Sequence, residues 1–219
     1  MKNVLITGSS RGIGKAISEE LSKQGFNCIC PSSQELNLNN SKSIENFFKN
    51  FNHSLYGLIN NAGINILSEV ENIEEDDIEK MISTNLTAPL KLIKYASKSM
   101  KQNKQGKIVN ISSIWGIRSK EFRTLYSMTK FGINGITKSL SRELGPYNIQ
   151  VNSVAPGYVN TEMTKKNVPL AEQMKIKEII PLKRFAEPKE IAQVVAFLLS
   201  GNSDYVTGQT IIVDGGFLA

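Results

Sequence analysis

The chain has 219 residues, of which 40% are hydrophobic and 21% are charged, and it carries a net charge of +6 at neutral pH. This length and composition suit one domain with a buried core better than two domains. No apolar run reaches the ~18 residues that a membrane-spanning helix needs, and the first apolar run is too short for a signal peptide, so we expect a cytoplasmic protein.

Apolar strand patterns alternate with helical patterns along the whole chain. Strands are predicted at residues 2–7, 26–30, 55–60, 107–111, 149–154 and 210–213. Helices are predicted at residues 13–24, 41–51, 74–100, 124–144 and 187–199, with Pro89 as a candidate site for a bend. The alternation predicts a single doubly wound α/β domain over residues 1–219, of the Rossmann type, with helices on both faces of a parallel sheet. Such sheets bind ligands at the carboxyl ends of their strands.

Between the first predicted strand and the first predicted helix lies a glycine-rich turn, Thr7-Gly8-Ser9-Ser10-Arg11-Gly12-Ile13-Gly14. Gly8 would allow the tight turn, while Gly12 and Gly14 would let the backbone approach a pyrophosphate. The N-terminus of the following helix would offer free N–H groups to the phosphates. A glycine-rich run alone could be a plain tight turn, but its place after a strand predicts a dinucleotide site.

A second group of residues is suited to the reduction of a carbonyl. Tyr126 and Lys130 are four residues apart on one predicted helix face, and Ser113 ends a predicted strand. Tyr126 would protonate the oxygen, Lys130 would lower the pKa of that tyrosine, and Ser113 would donate a hydrogen bond to the substrate. Each residue alone is common on solvated surfaces. Together with the glycine turn, the group predicts a nicotinamide-dependent oxidoreductase.

The spacing G-x-x-x-G-x-G after Thr7 resembles that of the short-chain dehydrogenase/reductase family, and the resemblance extends over the whole chain. Further matching motifs follow in the family's order: Asn60-Asn61-Ala62-Gly63, Asn85, Ser113, Tyr126, Lys130, Pro156-Gly157 and Val213-Asp214-Gly215-Gly216. Within the family, the chain is most similar to the type that reduces 3-oxoacyl groups on acyl carrier protein.

The resemblance implies a catalytic group of Asn85, Ser113, Tyr126 and Lys130, in which Asn85 holds a water that connects Lys130 to solvent. It also implies that Lys130 binds the nicotinamide ribose. The predicted cofactor-binding residues are Gly8, Ser10, Arg11, Gly12, Ile13, Gly14, Ser32, Ser33, Asn37, Leu38, Asn61, Ala62, Gly63, Tyr126, Lys130, Pro156, Gly157, Val159 and Thr161.

The choice between the two nicotinamides depends on the end of the second strand, where enzymes that use NAD place an acid. That strand ends Cys30-Pro31-Ser32-Ser33 without an acid, although Glu35 follows shortly afterwards. Arg11 in the glycine turn could bind a 2′-phosphate, and Ser32 and Ser33 could add hydroxyl donors. We therefore favour NADP(H) over NAD(H).

The segment after the second strand departs from the family. Only six residues separate Pro31 from Leu38, too few for the crossover helix that a parallel strand pair requires. The sequence therefore predicts a shortened or absent strand at this edge, with Asn37 at the position that contacts the adenine.

Residues 160–186 are expected to form a lid over the substrate, as in the family, or else an ordinary lysine-rich amphipathic helix. Trp115, Ile117 and Phe122 are expected to line the opposite wall. Four lysines at intervals of three could receive an acidic acyl carrier protein, or simply suit the end of a helix: Lys98, Lys101, Lys104 and Lys107.

The positive charge suits an anionic ligand or an acidic carrier protein, although most lysines are expected on solvated surfaces. Nucleic acid is a weaker candidate, because no basic helix with interleaved aromatic residues is present. Cys28 and Cys30 are expected to be reduced thiols and His53 a surface residue, so no metal site is predicted.

The leading hypothesis is an NADPH-dependent carbonyl reductase, with 3-oxoacyl thioesters as one candidate class of substrate. The alternatives are an alcohol or sugar dehydrogenase of the same family and a nucleotide-binding regulator without catalysis. The four filled catalytic positions argue against the regulator. The resemblance further implies a homotetramer, or a homodimer, with helices near 82–100 and 131–144 at one interface and residues 208–219 at another.

Overall fold

The computed structural model describes all of residues 1–219. Its strands are β1 (Asn3–Ile6), β2 (Asn27–Ile29), β3 (Leu55–Asn60), β4 (Gly106–Ile111), β5 (Ile149–Pro156) and β6 (Thr210–Val213). Its helices are α1 (Gly12–Lys23), α2 (Ser41–Lys49), α3 (Glu75–Ile82), α4 (Ala88–Asn103), α5 (Thr124–Leu144), α6 (Glu162–Asn167), α7 (Leu170–Ile179) and α8 (Pro188–Leu199). The strands are all parallel and form one sheet in the order β2-β1-β3-β4-β5-β6.

Helices cover both faces of this sheet, which is why its central strands are apolar without alternation. Every residue of β3, β4 and β5 is buried. On one face, Ile17 of α1 and Val195 of α8 pack in a core cluster with residues of the sheet. On the other face, Leu92 and Ala96 of α4 do the same. The predicted doubly wound α/β fold is thereby confirmed.

The short edge of the sheet follows the prediction closely. β2 has only three residues, and no strand lies between it and α2. The intervening chain forms turns, in which the Glu35 Oε2 accepts a hydrogen bond from the Ser32 N–H at 2.8 Å. The Thr84 hydroxyl donates to the Asn39 Oδ1 at 2.7 Å, so this loop is fixed to the segment after α3.

The long helix predicted at 74–100 is interrupted, and the interruption is not at Pro89. A π-helical turn over Ser83–Thr87 separates α3 from α4. Pro89 follows the π turn closely, at the start of α4, and it cannot donate a hydrogen bond to the Asn85 carbonyl four residues earlier. The π turn contains the buried Asn85, and such turns are frequent at functional sites.

The proposed stripe of four lysines does not form one surface. Lys107 lies within β4 and is 3% exposed. Its Nζ donates to the Ser200 carbonyl at 3.0 Å, the Ser203 hydroxyl at 3.2 Å and the Asp204 Oδ1 at 2.6 Å. The interval of three crosses from a helix into a strand, where side chains alternate between faces, so the expected docking stripe is wrong.

Both cysteines are free thiols, Cys28 half-buried and Cys30 exposed. None of the helices combines the length and the apolar character that crossing a bilayer would demand.

Candidate active site

The glycine turn between β1 and α1 has the backbone conformation that its sequence predicts. Gly8 and Gly12 have φ values of +67° and +55°, in the left-handed region that side chains disfavour. A Cβ on Gly14 would lie 2.1 Å from the Gly8 carbonyl oxygen. These positions therefore require glycine, and they leave bare backbone where a pyrophosphate would approach the N-terminus of α1.

Asn61, just after β3, fixes this turn to the sheet. Its Nδ2 donates to the carbonyl oxygens of Thr7 and Gly8, both at 3.0 Å. In return, the N–H groups of Asn61 and Ala62 donate to the Thr7 hydroxyl, both at 3.1 Å. The ends of β1 and β3 are thereby connected through the side chains of Thr7 and Asn61.

The remaining predicted residues of the phosphate end surround this turn. Ser10 and Arg11 are exposed and Ile13 packs on the core. A Cβ on Gly12 would lie 3.4 Å from the Thr161 Cγ2, so Thr161 of the lid borders the turn. The Thr161 hydroxyl accepts a hydrogen bond from the Thr164 N–H and caps α6.

The predicted nicotinamide segment follows β5. The Gly157 N–H donates to the Val213 carbonyl at 2.9 Å, and a Cβ at Gly157 would lie 2.8 Å from the Asp214 Cα. Pro156 is the last residue of β5, and the buried Val159 forms an isolated parallel bridge with Ala186. The segment therefore turns closely along the carboxyl end of the sheet.

At the adenosine end, Ser32, Ser33 and Asn37 are exposed, and Leu38 packs against the core. The Glu35 carboxylate is closer to this end than its place in the sequence suggested, because it binds the Ser32 N–H. This hydrogen bond holds the pKa of Glu35 below its usual value. An acid does therefore lie at the tip of β2.

The four predicted catalytic residues are all buried, and none is more than 9% exposed. The Lys130 Nζ donates to the Ile111 carbonyl at 2.8 Å and lies 5.5 Å from the centre of the Tyr126 ring. A Cβ on Gly63 would lie 3.7 Å from the Lys130 Nζ and 3.3 Å from the Asn85 Oδ1. The structure thus brings these separate motifs to one place at the carboxyl ends of β3 and β4.

Asn85 connects the π turn to the loop after β3. Its Oδ1 accepts a hydrogen bond from the Ile64 N–H at 2.9 Å, and its Nδ2 donates to the Ile64 carbonyl at 2.8 Å. The Nδ2 also lies 3.2 Å from the Thr129 hydroxyl. The side chain of Asn85 therefore supports the site, while its role in holding a water stays a prediction.

Burial dominates the electrostatics of the catalytic pair. It lowers the pKa of Lys130 to about 8 and raises the pKa of Tyr126. Hydrogen bonding to Ser113 and the charge of Arg123 act in the opposite direction on Tyr126, but burial outweighs them. The Lys130 ammonium is directed to the Ile111 carbonyl, and its lowering of the Tyr126 pKa stays a prediction. Tyr126 is protonated at neutral pH and able to donate a proton.

An aromatic wall faces the catalytic tyrosine. The ring of Trp115 makes edge contacts with Tyr158 and Phe217, with ring centres 6.2 and 6.1 Å apart. Ile117 and Phe122, predicted for the same wall, are 40% and 52% exposed and do not belong to the buried cluster that contains Trp115. Sequence reasoning did not predict Tyr158 and Phe217 as part of this wall, because neither residue belongs to a recognised motif.

The segment predicted to be a lid forms α6 and α7. Val168, Ile176 and Ile180 are buried in the same cluster as Trp115 and Tyr126, so the lid packs directly on the site. Lys120 pairs with Glu172 of α7 at 3.1 Å and connects the lid to the loop before α5. These contacts favour the interpretation as a substrate cover over that of an ordinary surface helix.

A glycine turn suited to a dinucleotide lies beside a buried tyrosine, lysine and serine, and this combination defines a nicotinamide-dependent oxidoreductase. A family model described as short chain dehydrogenase matches residues 2–49, and one described as Enoyl-(Acyl carrier protein) reductase matches residues 33–218. The chain belongs to the short-chain dehydrogenase/reductase family, as its motifs predicted.

Several relatives match nearly the full chain. The 3-oxoacyl-(acyl-carrier-protein) reductase FabG of Rickettsia felis is 39% identical, over 99% of this chain and 97% of the relative. The FabG of Vibrio cholerae serotype O1 is 35% identical, over 98% of this chain and 96% of the relative. A solved structure of 4-hydroxyisoleucine dehydrogenase complexed with NADH is 30% identical, with a TM-score of 0.94 and coverage of 99% and 98% of the two chains.

Proposed function

We propose that this oxidoreductase uses NADPH to reduce the keto group of a 3-oxoacyl compound to an alcohol, with the acyl thioester as the first candidate substrate. The observation that carries the proposal is the buried group of Tyr126, Lys130 and Ser113 at the carboxyl ends of the strands, next to the glycine turn. The near full-length similarity to reductases of 3-oxoacyl groups supports this choice of substrate.

The nicotinamide, when bound, supplies the hydride to the carbonyl carbon. Tyr126 donates its hydroxyl proton to the carbonyl oxygen, and the Ser113 hydroxyl donates a hydrogen bond to the same oxygen as charge develops there. The Lys130 ammonium has three N–H donors. One of them is hydrogen-bonded to the Ile111 carbonyl, and the other two remain for the substrate or the cofactor. Its positive charge favours the phenolate that remains after proton transfer.

The preference for NADPH is supported by the exposed Arg11 in the glycine turn, where a guanidinium can bind a phosphate in a bidentate manner. The Glu35 carboxylate at the tip of β2 opposes this preference, because it would repel a 2′-phosphate. Its exposed side chain has room to turn away from the Ser32 N–H. We therefore expect a preference for NADPH rather than complete exclusion of NADH.

The direct test follows the absorbance of NADPH, and separately of NADH, with an acetoacetyl thioester. Tyr126→Phe should lose at least ~100-fold in kcat, since general acid catalysis contributes roughly that much. Tyr147→Phe is the matched control, because Tyr147 is exposed and lies beyond the end of α5 opposite to Tyr126. Equal turnover by wild type and Tyr126→Phe would refute the assigned proton donor.

A second candidate is an alcohol or sugar dehydrogenase of the same family, working in the oxidative direction. The similarity to 4-hydroxyisoleucine dehydrogenase favours it. Reduction of NAD or NADP by a panel of hydroxy acids and sugars, without turnover of the thioester, would establish this candidate instead. If the protein bound cofactor but turned over neither panel, the third hypothesis, a regulator that only binds nucleotide, would stand.

We also propose a homotetramer, with a homodimer as the smaller alternative. Exposed apolar side chains lie on α4 and α5 at Leu90, Met128 and Phe131, and a second set lies at Phe197, Tyr205 and Ile212 near the other predicted interface. Light scattering should give about four times the 24.2 kDa chain mass. Binding of acyl carrier protein should be tested separately, since the lysine stripe no longer supports it.

A further inference from the structure

Arg123 precedes α5 and lies three residues before the catalytic tyrosine. It is only 5% exposed, yet none of the ion pairs of the chain includes it. Its Nε is fully buried and has no hydrogen-bond partner. A buried and unpaired guanidinium is costly, because burial removes its hydration without providing a counter-charge.

The guanidinium lies within the substrate side of the active site. Its carbon Cζ is 5.3 Å from the centre of the Trp115 ring. Burial is the largest effect on Tyr126 and Tyr158, and it raises the pKa of both. The positive charge of Arg123 acts in the opposite direction and lowers the pKa of each tyrosine. Arg123 therefore acts on both the proton donor and the aromatic wall that faces it.

Two acidic side chains near the aromatic wall are committed to other groups. Glu172 of α7 forms an ion pair with Lys120 at 3.1 Å. Its negative charge contributes to the raised pKa of Tyr158. Asp214 holds the turn that carries Phe217, because its two carboxylate oxygens accept from the N–H groups of Gly216 and Leu218, both at 2.9 Å. Neither of these carboxylates pairs with Arg123, so its charge is available to an anion from outside the chain.

The backbone before α5 fixes the position of this side chain. Phe122 has a φ of +63°, which is unusual for a residue with a side chain. Its carbonyl accepts a hydrogen bond from the Ser68 N–H at 3.3 Å, and the Arg123 carbonyl accepts from the Ser127 N–H at 2.8 Å. The backbone at Arg123 is therefore held in place by hydrogen bonds at Phe122 and at Arg123 itself.

We propose that Arg123 binds a carboxylate of the substrate, so that the protein acts on oxo acids rather than only on neutral acyl compounds. A planar guanidinium pairs with a carboxylate through two parallel hydrogen bonds, and aromatic surroundings strengthen such a pair. With the reacting carbonyl at Tyr126 and Ser113, the carboxylate of the same small molecule lies at Arg123. This assignment rests on the proposed carbonyl reduction and narrows its substrate class.

The test compares acetoacetate with its neutral methyl ester as substrates, and Arg123→Gln with Arg118→Gln as variants. Arg118 is an exposed arginine of the same loop, so its substitution makes the same change in charge outside the site. For wild type and Arg118→Gln, kcat/KM should be higher for acetoacetate than for the ester. Arg123→Gln should lose about 10- to 100-fold on acetoacetate and less than about threefold on the ester.

A binding measurement keeps this assignment separate from the proposed reaction. In the complex with NADPH, 3-hydroxybutyrate cannot be oxidised, so calorimetry reports its binding without turnover. Wild type should bind it, Arg123→Gln should not, and Arg123→Lys should bind it weakly. This result would support the carboxylate site even if no carbonyl compound were reduced.

Three outcomes would overturn the inference. The first is that wild type binds no carboxylate. The second is that Arg123→Gln loses equal activity on acid and ester, which would indicate an effect through Tyr126 alone. The third is that wild type reduces the acetoacetyl thioester but not acetoacetate. In that last case the proposed function would stand and the carboxylate assignment would fall.

Discussion

Arg11 forms an ion pair with Glu162, in which the Nη1 and Oε2 atoms are 3.3 Å apart, and so connects the glycine turn to the first helix of the lid. Both side chains are more than 70% exposed, and exposed pairs of this kind are weak. The pair can therefore open when a 2′-phosphate competes for the guanidinium.

Glu162→Gln should tighten the binding of NADPH by about two- to fivefold, because Arg11 no longer has a competing carboxylate. Arg11→Gln should weaken NADPH binding by about tenfold or more. Neither variant should change the affinity for NADH, which has no 2′-phosphate. Fluorescence titration of both cofactors measures this, and parallel changes for the two cofactors would contradict the role of Arg11.

The low pKa of Lys130 predicts how activity depends on pH. Its ammonium is charged below its pKa of about 8 and becomes neutral above it. The charged form stabilises the phenolate of Tyr126, so kcat/KM for reduction should be flat at lower pH and fall as pH rises through about 8. Lys130→Arg should lack this fall, whatever its absolute rate, because an arginine stays charged. A fall at the same pH in both proteins would assign the titration to another group.

Asn85→Ala should destabilise the protein, because it removes the hydrogen bonds that Asn85 makes to the backbone N–H and C=O of Ile64. The expected loss is about 2–4 kcal/mol in the free energy of unfolding. Urea unfolding measures it, with the exposed Asn46→Ala as control. An unchanged midpoint would mean that solvent replaces both hydrogen bonds.

Two glycine substitutions provide a matched comparison. An alanine at Gly14 would place its Cβ 2.1 Å from the Gly8 carbonyl oxygen, whereas nothing lies within 4 Å of a Cβ on Gly135. Gly14→Ala should abolish detectable cofactor binding by deforming the turn. Gly135→Ala in α5 should bind normally and be more stable by about 0.5–1 kcal/mol. Normal NADPH affinity in Gly14→Ala would argue against the turn as the phosphate site.

The parts of the molecule that sequence reasoning predicted are those that local chemistry determines. Strand and helix alternation predicted the sheet, and the short interval from Pro31 to Leu38 predicted the missing edge strand. The order of motifs placed Ser113, Tyr126 and Lys130, because each follows a strand or lies on the next helix. These features depend on spacing within one or two elements.

The missed features depend on contacts between distant segments. The local sequence did not predict the π turn at Ser83–Thr87. In the fold, its residue Asn85 forms hydrogen bonds with Ile64, which is about twenty residues away in the chain. Lys107 looks like a surface lysine until Ser200 and Asp204 surround it. Arg123 could have been noticed as a cation three residues before the catalytic tyrosine, but its lack of a partner is visible only in the folded chain.

The three-residue β2 also affects the behaviour of the protein in solution. An outer strand presents unpaired N–H and C=O groups that can recruit a strand from another molecule. Here that strip is very short, and it is followed by Pro31, which cannot donate a backbone hydrogen bond. The short β2 therefore leaves this edge of the sheet a poor template for pairing with a strand of another molecule, even though no further strand covers it.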